Sequence, residues 1–264
     1  MIARWSLRFI AFGYVGMLLA LPVGLIVWRT FEQGLAPVWN ALTTSDALHA
    51  LWLSVLIALI AVPANTIFGV MCALVLVRHR FPGKALLSAA VDLPLGVSPI
   101  VVGLALVVVY GRFGWFGPWL FAHNVQIIFA LPGMVLATIF ISMPFVVREV
   151  VPVLHEIGTE QEQAAATLGA SSLQTFRRIT LPAIRVGVGY GVVLTTARAL
   201  GEFGAVTVVS GRLIGQTETL PLYVEDRFQA FDTTGTYTAS LTLAVLALLT
   251  VAVMGALKPK KEAI

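Results

Sequence analysis

Charge is what this sequence has least of. Asp, Glu, Lys and Arg make up 11% of its 264 residues, whereas 58% are hydrophobic and the mean hydropathy is +0.92. An ordinary soluble domain carries roughly 25% charged residues. A water-soluble monomer of this length could not cover so much apolar surface, so lipid is the solvent that fits. Cysteine is nearly absent: Cys72 stands alone, which excludes an intrachain disulfide and a cysteine metal cluster. The histidines, His49, His79, His123 and His155, show no metal-ligand spacing, and H-E-x-x-H does not occur, so they read as solvated or capping side chains. The phosphate-binding pattern G-x-x-x-x-G-K-[ST] is missing too. Acidic residues are outnumbered, giving a net charge of +4. In a membrane chain that balance points to basic cytoplasmic loops rather than to nucleic acid.

Long uncharged runs are what the sequence has instead. Residues 9–28, 51–77, 93–110, 127–147 and 236–257 carry no charge, and 186–209 carries only Arg198 and Glu202. Each run can supply the ~20 residues that cross a hydrocarbon core about 30 Å thick. None alternates with the period of two that a barrel strand needs. The expectation is an all-α integral membrane protein with six transmembrane helices, one transmembrane domain over residues 1–264. The first run follows Arg4 and Arg8 as in a secretory signal, but it is long and lacks a good cleavage site, so it reads as a retained helix. Pro63 and Asn65 suggest a kink or a buried face in the second run. Pro94, Pro99, Pro132 and Pro144 read as lying at or near helix ends, mostly as kinks or terminators.

Orientation follows from the seventeen Lys and Arg residues. Arg4, Arg8, Arg78, Arg80, Lys84, Arg148, Arg177, Arg178, Arg185, Lys258, Lys260 and Lys261 fall on one side, and Arg29, Arg112, Arg212 and Arg227 on the other. The basic side is expected to be cytoplasmic, with both termini on it.

The long basic-side loop, 148–184, carries the most local information. Thr159-Glu160-Gln161-Glu162 and Ser171-Ser172-Leu173-Gln174 have the form of capping boxes, each starting a short helix. Gly169 between them can end the first helix in the left-handed conformation. Leu181-Pro182 closes the segment, with proline suited to the first turn of the next membrane helix. The expected product is a helix–glycine–helix elbow with an Ala-rich first arm. It either covers its own helix ends or docks another subunit.

At this point the chain resembles a known family. Gln163-Ala164-Ala165, Gly169, Ile179, Leu181 and Pro182 have the spacing of the EAA loop of bacterial ABC importer permeases, with Gln163 where that family usually has Glu and with Glu162 one residue earlier. The resemblance implies the type I ABC importer permease fold and a coupling helix formed by these residues, seated in a groove of a cytoplasmic ATPase. ATP and Mg would then be used by that partner, and this chain would bind no cofactor and catalyse nothing itself. A narrower resemblance covers nearly the whole chain. Ala197–Val206, Val208–Gly211 and Glu218–Leu222 are similar to the fifth-helix signature of sulfate/thiosulfate and molybdate permeases. Leu48–Trp52, Ser98–Val101 and Pro144–Pro152 look most like the CysW-type branch. This implies a bacterial inner-membrane subunit that imports sulfate or thiosulfate beside a homologous CysT-type permease, two ATPase subunits and a periplasmic sulfate-binding protein. A molybdate/tungstate-type permease is the near alternative.

In the fifth run, Arg198 and Glu202 are four residues apart and would share a helix face. Intramembrane charges face protein or water. The pair is either a structural lock between helices or part of an anion path or gate, to which Thr195, Thr196, Thr207 and Ser210 would add hydroxyls. Small-residue packing accounts for Gly201 and Gly204. Two other classes fit the sequence less well. A stand-alone secondary anion transporter would favour inverted repeats, which are not evident. An intramembrane enzyme would need a nucleophile–base pair or metal motif, and none occurs in the runs.

Overall fold

The computed structural model describes residues 12–257, and among these there is no strand. Residues 9–11 of the first expected span lie outside the described residues, as do Arg4, Arg8, Lys258, Lys260, Lys261 and both termini. The helices are α1 (Phe12–Phe31), α2 (Leu35–Leu42), α3 (Ser45–Arg78), α4 (Lys84–Gly96), α5 (Pro99–Tyr110), α6 (Gly117–Ala122), α7 (Leu131–Ile157), α8 (Glu160–Thr167), α9 (Ser172–Leu200), α10 (Gly204–Val209), α11 (Leu220–Gln229) and α12 (Thr233–Leu257). By length and composition α1, α3, α7, α9 and α12 can each cross a membrane, and α4 with α5 make a sixth, bent crossing. The expected all-α, six-span class therefore stands.

The centre is the crossing of α3, α7 and α9, where close approach is permitted by glycine. A Cβ on Gly69 of α3 would come within 2.6 Å of Val146 Cβ, and one on Gly191 of α9 within 2.8 Å of Val146 Cα. Gly187, one turn earlier on α9, would meet the Glu149 carbonyl at 2.8 Å. Gly187 and Gly191 form a G-x-x-x-G face against α7, the packing that lipid-embedded helices use where backbones must touch. Polar glue adds to it. Fully buried Asn65 of α3 donates from Nδ2 to the Ile139 carbonyl at 3.1 Å and to Ser142 Oγ at 2.8 Å, both on α7. In contrast, α1 is exposed along most of its length, and Thr30 ties it to α12 by donating to the Tyr237 carbonyl at 3.1 Å.

Several boundaries differ from the sequence expectation, each for a physical reason. The third span is not one helix: α4 and α5 meet at an angle of 113°. The turn falls on Val97 and Ser98, both extended, because the residue before Pro99 is pushed out of the helical region. Pro94 falls in the last turn of α4, near its end as expected, whereas Pro144 lies inside α7, as does Pro152. The fourth span continues to Ile157, so residues 148–157 belong to α7 and not to the loop. The helix after the elbow does not stop at Leu181-Pro182. It runs unbroken from Ser172 to Leu200, with a π-helical turn at Phe176–Thr180 in which the Leu181 amide donates to the Phe176 carbonyl. A widened turn just before Pro182 relieves the ring clash and the missing N–H that proline brings to a helix.

Candidate functional site

The elbow is built around one guanidinium. Arg78 ends α3, and its Nη1 donates to the Leu154 carbonyl at 3.1 Å while Nη2 donates to the Gly158 carbonyl at 2.7 Å. These carbonyls lie in the last turn of α7, where the helix has no amide of its own to offer. The same guanidinium pairs with Glu162 of α8, with Nε 3.0 Å from Oε2. Thr180 of α9 completes the arrangement, donating from Oγ1 to Glu162 Oε1 at 2.7 Å. Ends of α3, α7 and α8 and the π-helical turn of α9 therefore converge on Arg78 and Glu162.

That use of Glu162 explains why the first expected capping box does not form. Thr159 makes no side-chain cap, and Glu162, which would have reached back to it, is turned to Arg78 and Thr180. The second box forms as expected: Ser171 Oγ accepts from the Gln174 amide, and Gln174 Oε1 accepts from the Ser171 amide. Gly169 has φ +83°. The Ala170 amide donates to the Ala165 carbonyl and the Gly169 amide to the Ala166 carbonyl, each at 3.0 Å, which is a Schellman closure of α8.

The elbow presents two faces. Ala165 is buried against its own chain, whereas Gln163, Ala164, Leu168 and Gly169 are exposed, Leu168 at 88% and Leu173 beyond the turn at 65%. Of the remaining residues expected to form a coupling surface, Ile179 is half-buried, and Leu181 and Pro182 are exposed on the first part of α9. An apolar leucine pair held out on a capped turn suits insertion into a groove of another subunit.

The second site is the fifth span, and here the expected single helix over 186–209 is corrected. α9 stops at Leu200, and residues 201–203 leave the helix before α10 begins at Gly204. Arg198 and Glu202 still meet, with Nη2 2.8 Å from Oε2. Glu202 lies in the break, however, and its Oε1 accepts the Ala205 amide at 2.9 Å, so it also caps α10. Its side chain is 1% exposed, that of Arg198 32%. Packing explains Gly204, whose Cβ would meet Pro99 Cβ at 2.8 Å; Gly103 of α5 likewise faces Val208 at 2.8 Å. Gly201 has no such neighbour, so close packing does not account for it.

The expected hydroxyls do not gather around the pair. Thr196 and Thr207 donate to the backbone of their own helices, to the Val192 and Phe203 carbonyls. Ser210 sits at the far end of α10, where its Oγ accepts the Arg212 amide at 3.1 Å. Thr195 is fully buried on α9, and its Oγ1 has no partner among the described residues.

A third cluster lies at the end opposite the elbow, where Glu218 opens the last part of the signature at 218–222 but was given no role by the sequence. Glu218 precedes α11 and is fully buried, with no hydrogen-bond donor to either carboxylate oxygen among the described residues. Burial first, and the neighbouring Asp226 carboxyl second, push its pKa up to about 7, against a smaller lowering by Arg227. Arg227 itself faces Asp46 of α3 at 3.9 Å and covers the Tyr223 ring.

Bent and broken spans around a glycine-packed centre, with a capped elbow at one end, define a membrane permease subunit. The chain belongs to the family described as binding-protein-dependent transport system inner membrane component, which matches residues 65–263. Within it, the chain is similar to the sulfate transport system permease protein CysW of Synechococcus elongatus, 50% identical over 94% of this chain and 86% of that one. CysW of Escherichia coli K12 is 49% identical over 94% and 85%. The sulfate transport system permease protein CysT of Salmonella typhimurium is more distant, 38% identical over 83% and 79%. The fold matches that of a bacterial ABC transporter involved in the import of the acidic polysaccharide alginate, with a TM-score of 0.80 at 15% identity over 98% of this chain and 96% of that one.

Proposed function

We propose that this chain is the CysW-type permease subunit of an ATP-driven sulfate importer and that, with a homologous CysT-type permease, it forms the path that carries the anion into the cytoplasm. The observation that carries the reading is the likeness to CysW over nearly the whole chain. The elbow supports it with a mechanism. Its exposed face, Gln163, Ala164, Leu168 and Gly169, docks a cytoplasmic ATPase subunit, one per permease, and the ATP and Mg are bound there. The elbow end faces the cytoplasm because Arg78, Arg80, Lys84, Arg148, Arg177, Arg178 and Arg185 cluster on it. The opposite end receives a periplasmic binding protein loaded with sulfate or thiosulfate. The chain sits in a bacterial inner membrane, with lipid against the exposed apolar faces of α1 and α5.

The test is growth and uptake. In a bacterium lacking its own sulfate permeases, the chain expressed with its CysT-type partner, ATPase and binding protein should restore radiolabelled sulfate uptake and bring the ATPase through purification. Uptake of molybdate but not sulfate would instead assign the molybdate-type function. Uptake by the chain alone, indifferent to ATP, would make it a secondary transporter.

A further inference from the structure

Apart from its chain connection into α9, helix α8 is joined to the membrane helices by very little. Of the eight residues of α8, only Ala165 is buried. Among the described residues, the side-chain polar ties from this helix to other helices all pass through the Glu162 carboxylate, to Arg78 at 3.0 Å and to Thr180 at 2.7 Å. Arg78 in turn holds the last carbonyls of α7. Its side chain is 13% exposed and that of Glu162 21%, so the pair is shielded from the screening that makes surface pairs weak. Neither residue is on the exposed face that carries Leu168 and Leu173.

We infer that Arg78 and Glu162 form the strut that converts displacement of α8 into movement of α3 and α7, and that they are positioning residues for coupling rather than docking contacts. The inference rests on the permease reading above and goes beyond it. A push on the exposed face of α8 is carried through Glu162 into Arg78, the terminal residue of the 34-residue helix α3. Through the Leu154 and Gly158 carbonyls it reaches the end of α7 at the same time. Because α3 and α7 are packed together at Gly69 and Val146, the push displaces their ends together, and Thr180 passes part of it to α9. The backbone between α7 and α8 is only Gly158, at φ +62°, and Thr159.

The assembled four-subunit importer, reconstituted in vesicles with loaded binding protein, allows sulfate transported and ATP hydrolysed to be measured on the same sample. Glu162→Gln keeps the shape and the Thr180 hydrogen bond but removes the charge; Arg78→Gln removes the guanidinium; Arg78→Lys keeps one cation with fewer directed donors. The expected result is that Glu162→Gln and Arg78→Gln complexes retain their ATPase subunits and hydrolyse ATP. Sulfate moved per ATP should fall by roughly two- to thirtyfold, with Arg78→Lys in between. A merely structural role would lower the amount of complex and leave that ratio unchanged. An unchanged ratio in Glu162→Gln complexes overturns the inference. Loss of the ATPase from Glu162→Gln complexes also overturns it, since Glu162 would then be a docking contact. Failure of the wild-type chain to retain an ATPase would strike the permease reading instead.

Discussion

Replacing Arg198 by Ala is the most informative single change at the break in the fifth span. Glu202 would be left in a site where its side chain is 1% exposed, holding only the Ala205 amide. Breaking a buried pair by removing one partner typically costs about 3–5 kcal/mol, because the remaining charge is stranded. Arg198 is itself 32% exposed, which places this pair near the lower figure, about 3 kcal/mol. The reverse change is milder. Glu202→Ala strands a guanidinium that can reach water along its stem and removes the cap of α10, together about 1–2 kcal/mol. Glu202→Gln keeps an oxygen that accepts from Ala205, so Arg198→Ala/Glu202→Gln should recover most of the loss. Unfolding free energies in mixed detergent micelles, followed by tryptophan fluorescence, give the order. An Arg198→Ala protein within about 0.5 kcal/mol of wild type, or a Glu202→Ala protein less stable than it, would mean that Glu202 does not depend on Arg198 for its buried charge. Sulfate uptake then separates the two roles of the pair. A pure lock predicts that uptake returns with stability in the double variant; a role in the anion path predicts that stability returns and uptake does not.

Four other outcomes are expected. Gly69→Ala and Gly191→Ala should each destabilise by about 1–3 kcal/mol through overpacking against Val146, whereas Gly24→Ala on α1, which meets nothing within 4 Å, should not. Leu168→Glu should release the ATPase subunit while the chain still inserts; Gly169→Val adds roughly 1 kcal/mol or more of left-handed strain and should act similarly, measured by co-purification. Glu218 has its folded pKa raised from 4.5 to about 7, so its contribution is fully present below about 4.5 and is lost as pH rises through 7, by at most about 3 kcal/mol; Glu218→Gln should flatten the unfolding free energy between pH 4.5 and pH 7. Single cysteines at Lys84 or Ser172 should be labelled from the cytoplasm only, and at Gln216 from the periplasm only, by an impermeant thiol reagent.

Helix existence was readable wherever an uncharged run was long, as in α3, α7 and α12, and the Ser171 box and Gly169 turn were readable from local pattern. Breaks in the spans were not. At 201–203 the marks were Gly201 and Glu202, but the apolar run continues through Phe203, Ala205 and Val206, and that continuity outweighed the glycine as a stop signal. Pro99 did mark the bend after α4, but Pro144 and Pro152, inside α7, show that proline alone cannot say which helix breaks. The strut was hidden for another reason. Arg78 and Glu162 are 84 residues apart, and neither helix periodicity nor capping rules connect residues at that separation. The same long-range pairing diverted Glu162 from the box that its spacing with Thr159 suggested. At the fifth span the i,i+4 spacing did find the Arg198–Glu202 contact, although a helix break rather than a continuous helix holds it.

Coupling of ATP hydrolysis on a partner subunit to sulfate import, as proposed above, is read from the response of the ATPase to the binding protein. In the reconstituted importer, ATP hydrolysis should rise when sulfate-loaded binding protein is added to the outer face, should carry sulfate into the vesicle, and should respond little to the unloaded protein. Stimulation by a molybdate-loaded binding protein alone, or sulfate entry that continues at full rate without ATP, would contradict the account.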